Sequence, residues 1–140
     1  MLDVGTLPSL SGTSILVVDD NADFLELLNT TLRICGARTI AAVSVAQARA
    51  ALETVTPDLV ICDLVLPDGT GTELLEWLRA RPHEAGGAIA AVAVTAFPRS
   101  YPAMQVNGFA AYFVKPVRLD NLCRAIASLL GRREFSDAPR

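Results

Sequence analysis

Short apolar runs alternate along this chain with stretches whose apolar residues step by three and four. Residues 15–18, 89–95 and 111–114 are compact apolar runs, and residues 38–42 are a weaker one. The run at residues 59–62 is four apolar residues long and ends in Asp63, with Pro57-Asp58 before it and Leu66-Pro67 after it. A strand buried on both faces of a parallel sheet reads this way, which places Asp63 at the carboxyl end of a central strand. The stretches between carry helical spacing: Leu25, Leu28, Leu32 and Cys35; then Ala48, Leu52 and Val55; then Leu74, Leu75 and Leu78; and last Leu119, Leu122, Ile126 and Leu129. Asn21, Ser44 with Gln47, and Thr70 with Glu73 are start signals for the first three of these helices, while Gly36, Pro57, Pro82 and Gly131 are stops. Between residues 97 and 108 the helical pattern is poor, because Pro98 and Pro102 sit four apart, so any helix there is short. The pattern predicts five strands alternating with five helices, hence right-handed crossovers and one parallel sheet covered on both faces.

The ends of the chain lack periodicity. Residues 1–13, rich in Gly, Pro, Ser and Thr, read as a flexible tail, residues 14–131 as one domain, and residues 132–140 as a second tail. A length of 140 residues with 51% hydrophobic content suits a single core.

Charge and cysteine content narrow the function. A net charge of −3 argues against a nucleic-acid surface. The basic pair Arg132-Arg133 reads as a solvated helix end. No apolar run approaches a membrane span, and the first residues lack the layout of a signal peptide, so a cytoplasmic location is expected, with neither membrane nor nucleic acid as partner. Cys35, Cys62 and Cys123 fall in predicted elements, where a free thiol behaves as a small hydrophobe. His83, the sole histidine, lies in a loop, which almost excludes a zinc site or a Ser/His/Asp triad.

The polar residues that close the strands are more informative. Asp19 and Asp20 follow the first strand, Asp63 ends the third, Thr95 the fourth, and Lys115 follows the fifth. In an open α/β sheet all five lie on the edge where ligands bind. Singly, each has an ordinary structural explanation, as a cap, a β-former or a surface charge. Jointly, three crowded carboxylates call for a cation, and an all-oxygen set suits Mg²⁺. Such a cation and the Lys115 ammonium would hold a phosphoryl group against Asp63, with the Thr95 hydroxyl available to one of its oxygens.

On these residues the chain resembles a response-regulator receiver domain of two-component signalling. The resemblance covers roughly residues 14–131. It is carried by Asp19-Asp20 after Ile-Leu-Val-Val, by Asp63 in Asp-Leu-Val-Leu-Pro-Asp-Gly-Thr-Gly, by Thr95-Ala96, and by Lys115-Pro116 preceded by Tyr112. It implies a flavodoxin-like, doubly wound five-stranded sheet of strand order 2-1-3-4-5. It implies Asp63 as the phospho-acceptor from a phosphohistidine. It further implies Asp20 as a direct Mg²⁺ ligand, Asp19 as one largely through water, and the Val65 backbone carbonyl as a third. Lys115 would pair with the phosphate across a cis bond to Pro116, and Thr95 and Tyr112 would form a conformational switch. Phe113 is the rival for the inward aromatic position, since strand alternation places the two on opposite faces. The implied partners are a sensor histidine kinase or a histidine phosphotransfer protein and an unidentified downstream protein, with a homodimer possible. The chain would be a signalling domain, an enzyme only toward its own phosphorylation and dephosphorylation.

Several positions depart from the family pattern. The segment from Thr95 to Gly108 is about two residues short and carries two prolines, which predicts a short or displaced fourth helix and puts the usual output surface in doubt. Val65 and Phe97, two residues beyond Asp63 and Thr95, are apolar where many relatives are polar, which predicts slow loss of the phosphoryl group. Arg118 stands where an Asp cap of the last helix is expected. The alternatives are a receiver-like interaction module independent of phosphorylation and, more distantly, an Asp-nucleophile phosphatase, which would want a general acid where Val65 stands. The residues before the first strand and the short tail also resemble the receiver at the end of a hybrid sensor kinase.

Overall fold

The computed structural model describes residues 7–131. Its elements are β1 (Ser14–Val18), α1 (Ala22–Ile34), β2 (Arg38–Ala42), α2 (Val45–Thr54), β3 (Leu59–Asp63), the short strands β4 (Val65–Leu66) and β5 (Gly69–Thr70), α3 (Gly71–Arg79), β6 (Ala90–Thr95), β7 (Ala111–Val114) and α4 (Leu119–Leu129). Five strands form one parallel sheet in the order β2-β1-β3-β6-β7, and β4 pairs antiparallel with β5. With the short pair set aside, this is the expected 2-1-3-4-5 order.

Strand alternation divides the interior into two cores. Ile15, Val17, Leu59, Ile61, Val92 and Val94 meet α1 and α4 on one side of the sheet, through Leu28, Leu32, Leu122 and Ile126. Leu16, Val18, Val60, Cys62 and Ala91 meet α2 and α3 on the other, through Ala48, Leu52, Leu74 and Leu78. Every residue of β3 is buried, as a central strand requires. All three cysteines are free and buried.

Local signals set the helix boundaries. The Asn21 side chain accepts from the Phe24 N–H at 2.9 Å and caps α1. Thr70 and Glu73 form a reciprocal capping box on α3. Gly36 turns the chain out of α1 at φ 99°, and a Cβ there would lie 2.6 Å from Ser11 Oγ.

That contact overturns one expectation. Residues 7–13 are not a loose tail: Leu7 and Leu10 are buried, and the Leu10 N–H donates to the Cys35 carbonyl at 2.7 Å. Two apolar side chains three apart close the open end of the core beneath α1, so ordering them is repaid by burial. Residues 1–6 and 132–140, with Arg132-Arg133, lie outside the described residues.

A second correction concerns helix number. Four α-helices are present among the described residues, and the span between β6 and β7 holds only the 3₁₀ turn Ala103–Gln105. Pro98 and Pro102 remove N–H donors and bar the preceding residues from helical geometry, so no α-helix forms. Apolar positions at two helix ends also differ from the pattern: Val55 and Leu129 are 41% and 38% exposed because their helices end there.

The first residue of α4 is held without a side-chain cap from Arg118. Instead the buried Asp120 carboxylate accepts from Arg118 at 2.7 and 3.1 Å and from the Asn121 N–H at 2.9 Å. The Arg118 guanidinium holds the Asp120 carboxyl down to about 2. A lowered carboxyl stabilises the fold above the ordinary Asp range and loses that contribution as pH falls through its own value. Asp120→Asn is therefore expected to melt a few degrees below wild type at pH 7, with the gap closing between about pH 4 and pH 2. Thermal melts across that range check it, and a pH-independent gap would contradict it.

Candidate functional site

The acidic edge follows from strand register. Val18 and Cys62 are partners in neighbouring strands, so the residues that follow them, Asp19 and Asp63, emerge side by side at the carboxyl edge. Asp19 and Asp63 are buried and Asp20 is exposed. One carboxylate oxygen from each of the three lies within 4.8 Å of the others.

The two buried acids use their oxygens alike. Asp19 Oδ1 accepts from the Asn21 N–H at 2.8 Å and Asp63 Oδ1 from the Val65 N–H at 3.1 Å. Their Oδ2 atoms face Lys115, whose Nζ lies 2.7 Å from Asp19 and 3.3 Å from Asp63. Lys115 reaches this point because β7 lies beside β6 and the Lys115 N–H donates to the Thr95 carbonyl at 2.8 Å. Its bond to Pro116 is cis. Gly71 lets α3 start against the strand end, since a Cβ there would sit 2.6 Å from the Asp63 carbonyl oxygen.

Charge at this edge is unbalanced. Three carboxylates face one ammonium, and burial, together with the Asp19 charge, raises the Asp63 carboxyl above its ordinary value despite the Val65 N–H and Lys115. A hard divalent cation would relieve that imbalance. The donor set of Asp19, Asp20 and Asp63, all oxygen and drawn together, fits Mg²⁺. Cys62 adds no nucleophile: burial and the nearby Asp63 and Asp19 charges push its thiol up, and its Sγ donates to the Asp63 carbonyl at 3.1 Å.

Thr95 closes β6 fully buried, and its hydroxyl accepts from the Phe97 N–H at 2.9 Å. Tyr112 is not drawn into the acidic cluster. Its hydroxyl donates to the Tyr101 carbonyl, within the span that replaces a helix, whereas Phe113 packs into the core beside α1 and α4. Two residues escaped the sequence reading. Phe24, in the first turn of α1, presents its ring 4.5 Å from Lys115 Nζ, a cation–π contact that no local motif announces. Asp68, read only as part of a turn, bonds across to α2.

Comparison with known proteins agrees with this geometry. Residues 15–127 match the family model described as the response regulator receiver domain. A 14.6 kDa protein from Leptolyngbya boryana is 33% identical over 122 residues, covering 86% of this chain and 92% of its own. The polar-differentiation response regulator DivK of Brucella ovis is 30% identical, covering 84% and 96%. The response regulator protein PilR of Pseudomonas aeruginosa is 33% identical over 93% of this chain, which spans 29% of PilR's length. Among solved structures, the receiver domain of sensor histidine kinase PA1611 from Pseudomonas aeruginosa, with magnesium coordinated in its active-site cleft, superposes with a TM-score of 0.76 at 27% identity, covering 86% and 99%. The fold, the acidic edge and the family match agree, and the chain belongs to the response-regulator receiver domain family.

Proposed function

We propose that the chain is a phospho-accepting receiver of a two-component or phosphorelay system, with Asp63 as acceptor. The observation that carries this reading is the joint hold of Lys115 on Asp19 and Asp63 beside an exposed Asp20. Asp19, Asp20, Asp63 and the Val65 backbone carbonyl would hold Mg²⁺, which when bound neutralises charge on the transferring phosphoryl oxygens. A carboxylate oxygen of Asp63 attacks the phosphorus of a phosphohistidine. A P–O bond forms, the P–N bond breaks, and its electron pair returns to the imidazole ring. Lys115 leaves Asp63 to pair with a phosphoryl oxygen, and its contact with Phe24 keeps the ammonium near the strand ends.

Signalling then follows from which state the phosphoryl group favours. The Thr95 hydroxyl, whose oxygen accepts from the Phe97 N–H, donates its proton to a phosphoryl oxygen, and the Tyr112 hydroxyl leaves the Tyr101 carbonyl as its ring moves to the space beside Thr95. The partners in this account are a sensor histidine kinase or histidine phosphotransfer protein, a downstream protein, and a second copy in a homodimer, in the cytoplasm. Among the described residues no helix is long and apolar enough to cross a membrane.

Borohydride trapping tests the acceptor. After treatment with acetyl phosphate and Mg²⁺, reduction should convert residue 63 to homoserine in peptide maps, and conversion elsewhere or nowhere would overturn the reading. Val65 and the half-exposed Phe97 offer no side-chain hydrogen bond to an attacking water. Slow loss of the phosphoryl group is expected, and Val65→Asn should shorten its half-life about tenfold, the worth of one hydrogen bond of ~1.4 kcal/mol. A half-life unchanged by that substitution would contradict the assignment.

A further inference from the structure

We infer that Asp68 is a positioning residue, which ties the loop carrying the Val65 carbonyl to the first turn of α2. This rests on the reading of residues 19, 20, 63 and 65 as a Mg²⁺ site. The loop is secured at its ends by bonds close to the sheet: the Leu64 N–H donates to the Val94 carbonyl at 3.3 Å, and the Gly71 N–H to the Leu64 carbonyl at 3.1 Å. Between them β4 and β5 pair only with each other, Val65 with Thr70 and Leu66 with Gly69. A two-strand ribbon this short has little stability of its own. Its tip, residues 67–69, has one hydrogen-bonded tie to another part of the chain among the described residues. Asp68 Oδ1 accepts from the Val45 N–H at 2.7 Å and Oδ2 from the Ala46 N–H at 3.0 Å.

The tie does more than finish the helix. α2 already has its own cap, since Ser44 Oγ accepts from the Gln47 N–H at 3.1 Å and Gln47 Oε1 accepts in return from the Val43 N–H at 3.0 Å. Asp68 adds a carboxylate from more than twenty residues away, with both oxygens engaged, where the helix dipole also favours negative charge. Contact at Gly69 reinforces it, because a Cβ there would lie 3.2 Å from Val45 Cγ2, so the tip sits directly on the start of α2. With the tip fixed and both ends fixed, the ribbon between them holds Val65, whose N–H donates to Asp63 Oδ1 at 3.1 Å, and with it the Val65 carbonyl, in one place. Without Asp68 the tip keeps only its packing on Val45 and loses both hydrogen bonds to α2, so the Val65 carbonyl is held less firmly.

The test is calorimetric titration of the intact protein with MgCl₂, alongside thermal melts in EDTA, for wild type and the variants Asp68→Ala, Asp68→Asn and Ser44→Ala. Asp68→Ala should weaken Mg²⁺ binding about tenfold, the usual scale for a residue supporting a ligand. Asp68→Asn removes the same charge but keeps one acceptor oxygen, so it should fall between wild type and Asp68→Ala. Ser44→Ala should lower the melting temperature and leave the Mg²⁺ affinity unchanged. Wild-type affinity in Asp68→Ala would overturn the inference while leaving the metal site intact. So would an Asp68→Asn variant as weak as Asp68→Ala, which would make the effect one of charge, or a Ser44→Ala variant weakened as much, which would make it one of helix stability. Absence of Mg²⁺ binding in the wild type would overturn the site itself and this inference with it.

Discussion

Lys115→Ala is expected to destabilise this edge and slow its phosphoryl uptake while strengthening its hold on Mg²⁺. Lys115 is the cation nearest both buried acids, at 2.7 Å from Asp19 and 3.3 Å from Asp63. Its removal leaves two buried carboxylates without a counter-charge. Loss of one partner from a buried ion pair costs about 3 kcal/mol or more. In EDTA that corresponds to a fall in melting temperature of roughly 6–12 °C for a domain of this size. In the proposed function Lys115 would also compete with Mg²⁺ for the negative charge of Asp19 and Asp63. With it gone, Mg²⁺ should bind more tightly and restore most of the lost stability. Phosphoryl uptake should nevertheless slow by about a hundredfold, the usual cost of removing a donor aimed at developing charge. Melts with and without Mg²⁺, calorimetry and uptake rates together check this. A variant as stable as wild type in EDTA, or one that binds Mg²⁺ more weakly, would contradict the electrostatic account.

Asp63→Asn is expected to abolish phosphoryl uptake and yet raise stability. The amide keeps the shape and can still accept from the Val65 N–H, but it is no nucleophile. Burial and the neighbouring Asp19 hold the wild-type carboxyl above its ordinary value, so the fold disfavours its ionised form. A raised carboxyl binds its proton more tightly when folded. Wild type therefore loses stability, relative to the amide, as pH rises through the ordinary Asp range toward the raised value. At pH 7 in EDTA the variant should melt higher than wild type, and the difference should vanish as pH falls below the ordinary Asp range. A variant that melts lower at pH 7 would mean that the Lys115 contact outweighs burial. A variant that melts higher would mean that the proposed function is obtained at a cost in stability, through a charge the interior resists.

How far the sequence reveals this depends on whether a signal is local. The short pair β4 and β5 left only a turn signal. Of the five strands in the main sheet, four were legible as compact apolar runs and β2 as a weaker one, and β3 is buried along its whole length. Capping residues were legible for the same reason, since Asn21, Ser44 and Thr70 each act on a backbone N–H three residues on. Asp19, Asp20, Asp63 and Lys115 could be grouped because topology alone brings the carboxyl ends of strands together. Contacts that span the chain left no such mark. Leu7 and Leu10 sit among Gly, Pro and Ser with no period to betray them, and only the end of α1 makes them core. Asp68 reads as one residue of a Pro-Asp-Gly turn, and its partners lie more than twenty residues earlier. The missing helix between β6 and β7 was half legible: two prolines argued for a short one, and the chain forms a single 3₁₀ turn instead.

The proposed function has this edge take a phosphoryl group and need a divalent cation to do so. Its most direct test is the intact mass of wild-type protein after incubation with acetyl phosphate, in Mg²⁺ and, separately, in EDTA. The account predicts a gain of one phosphoryl group in Mg²⁺ and none in EDTA. An unchanged mass under both conditions, or the same gain in both, would contradict it.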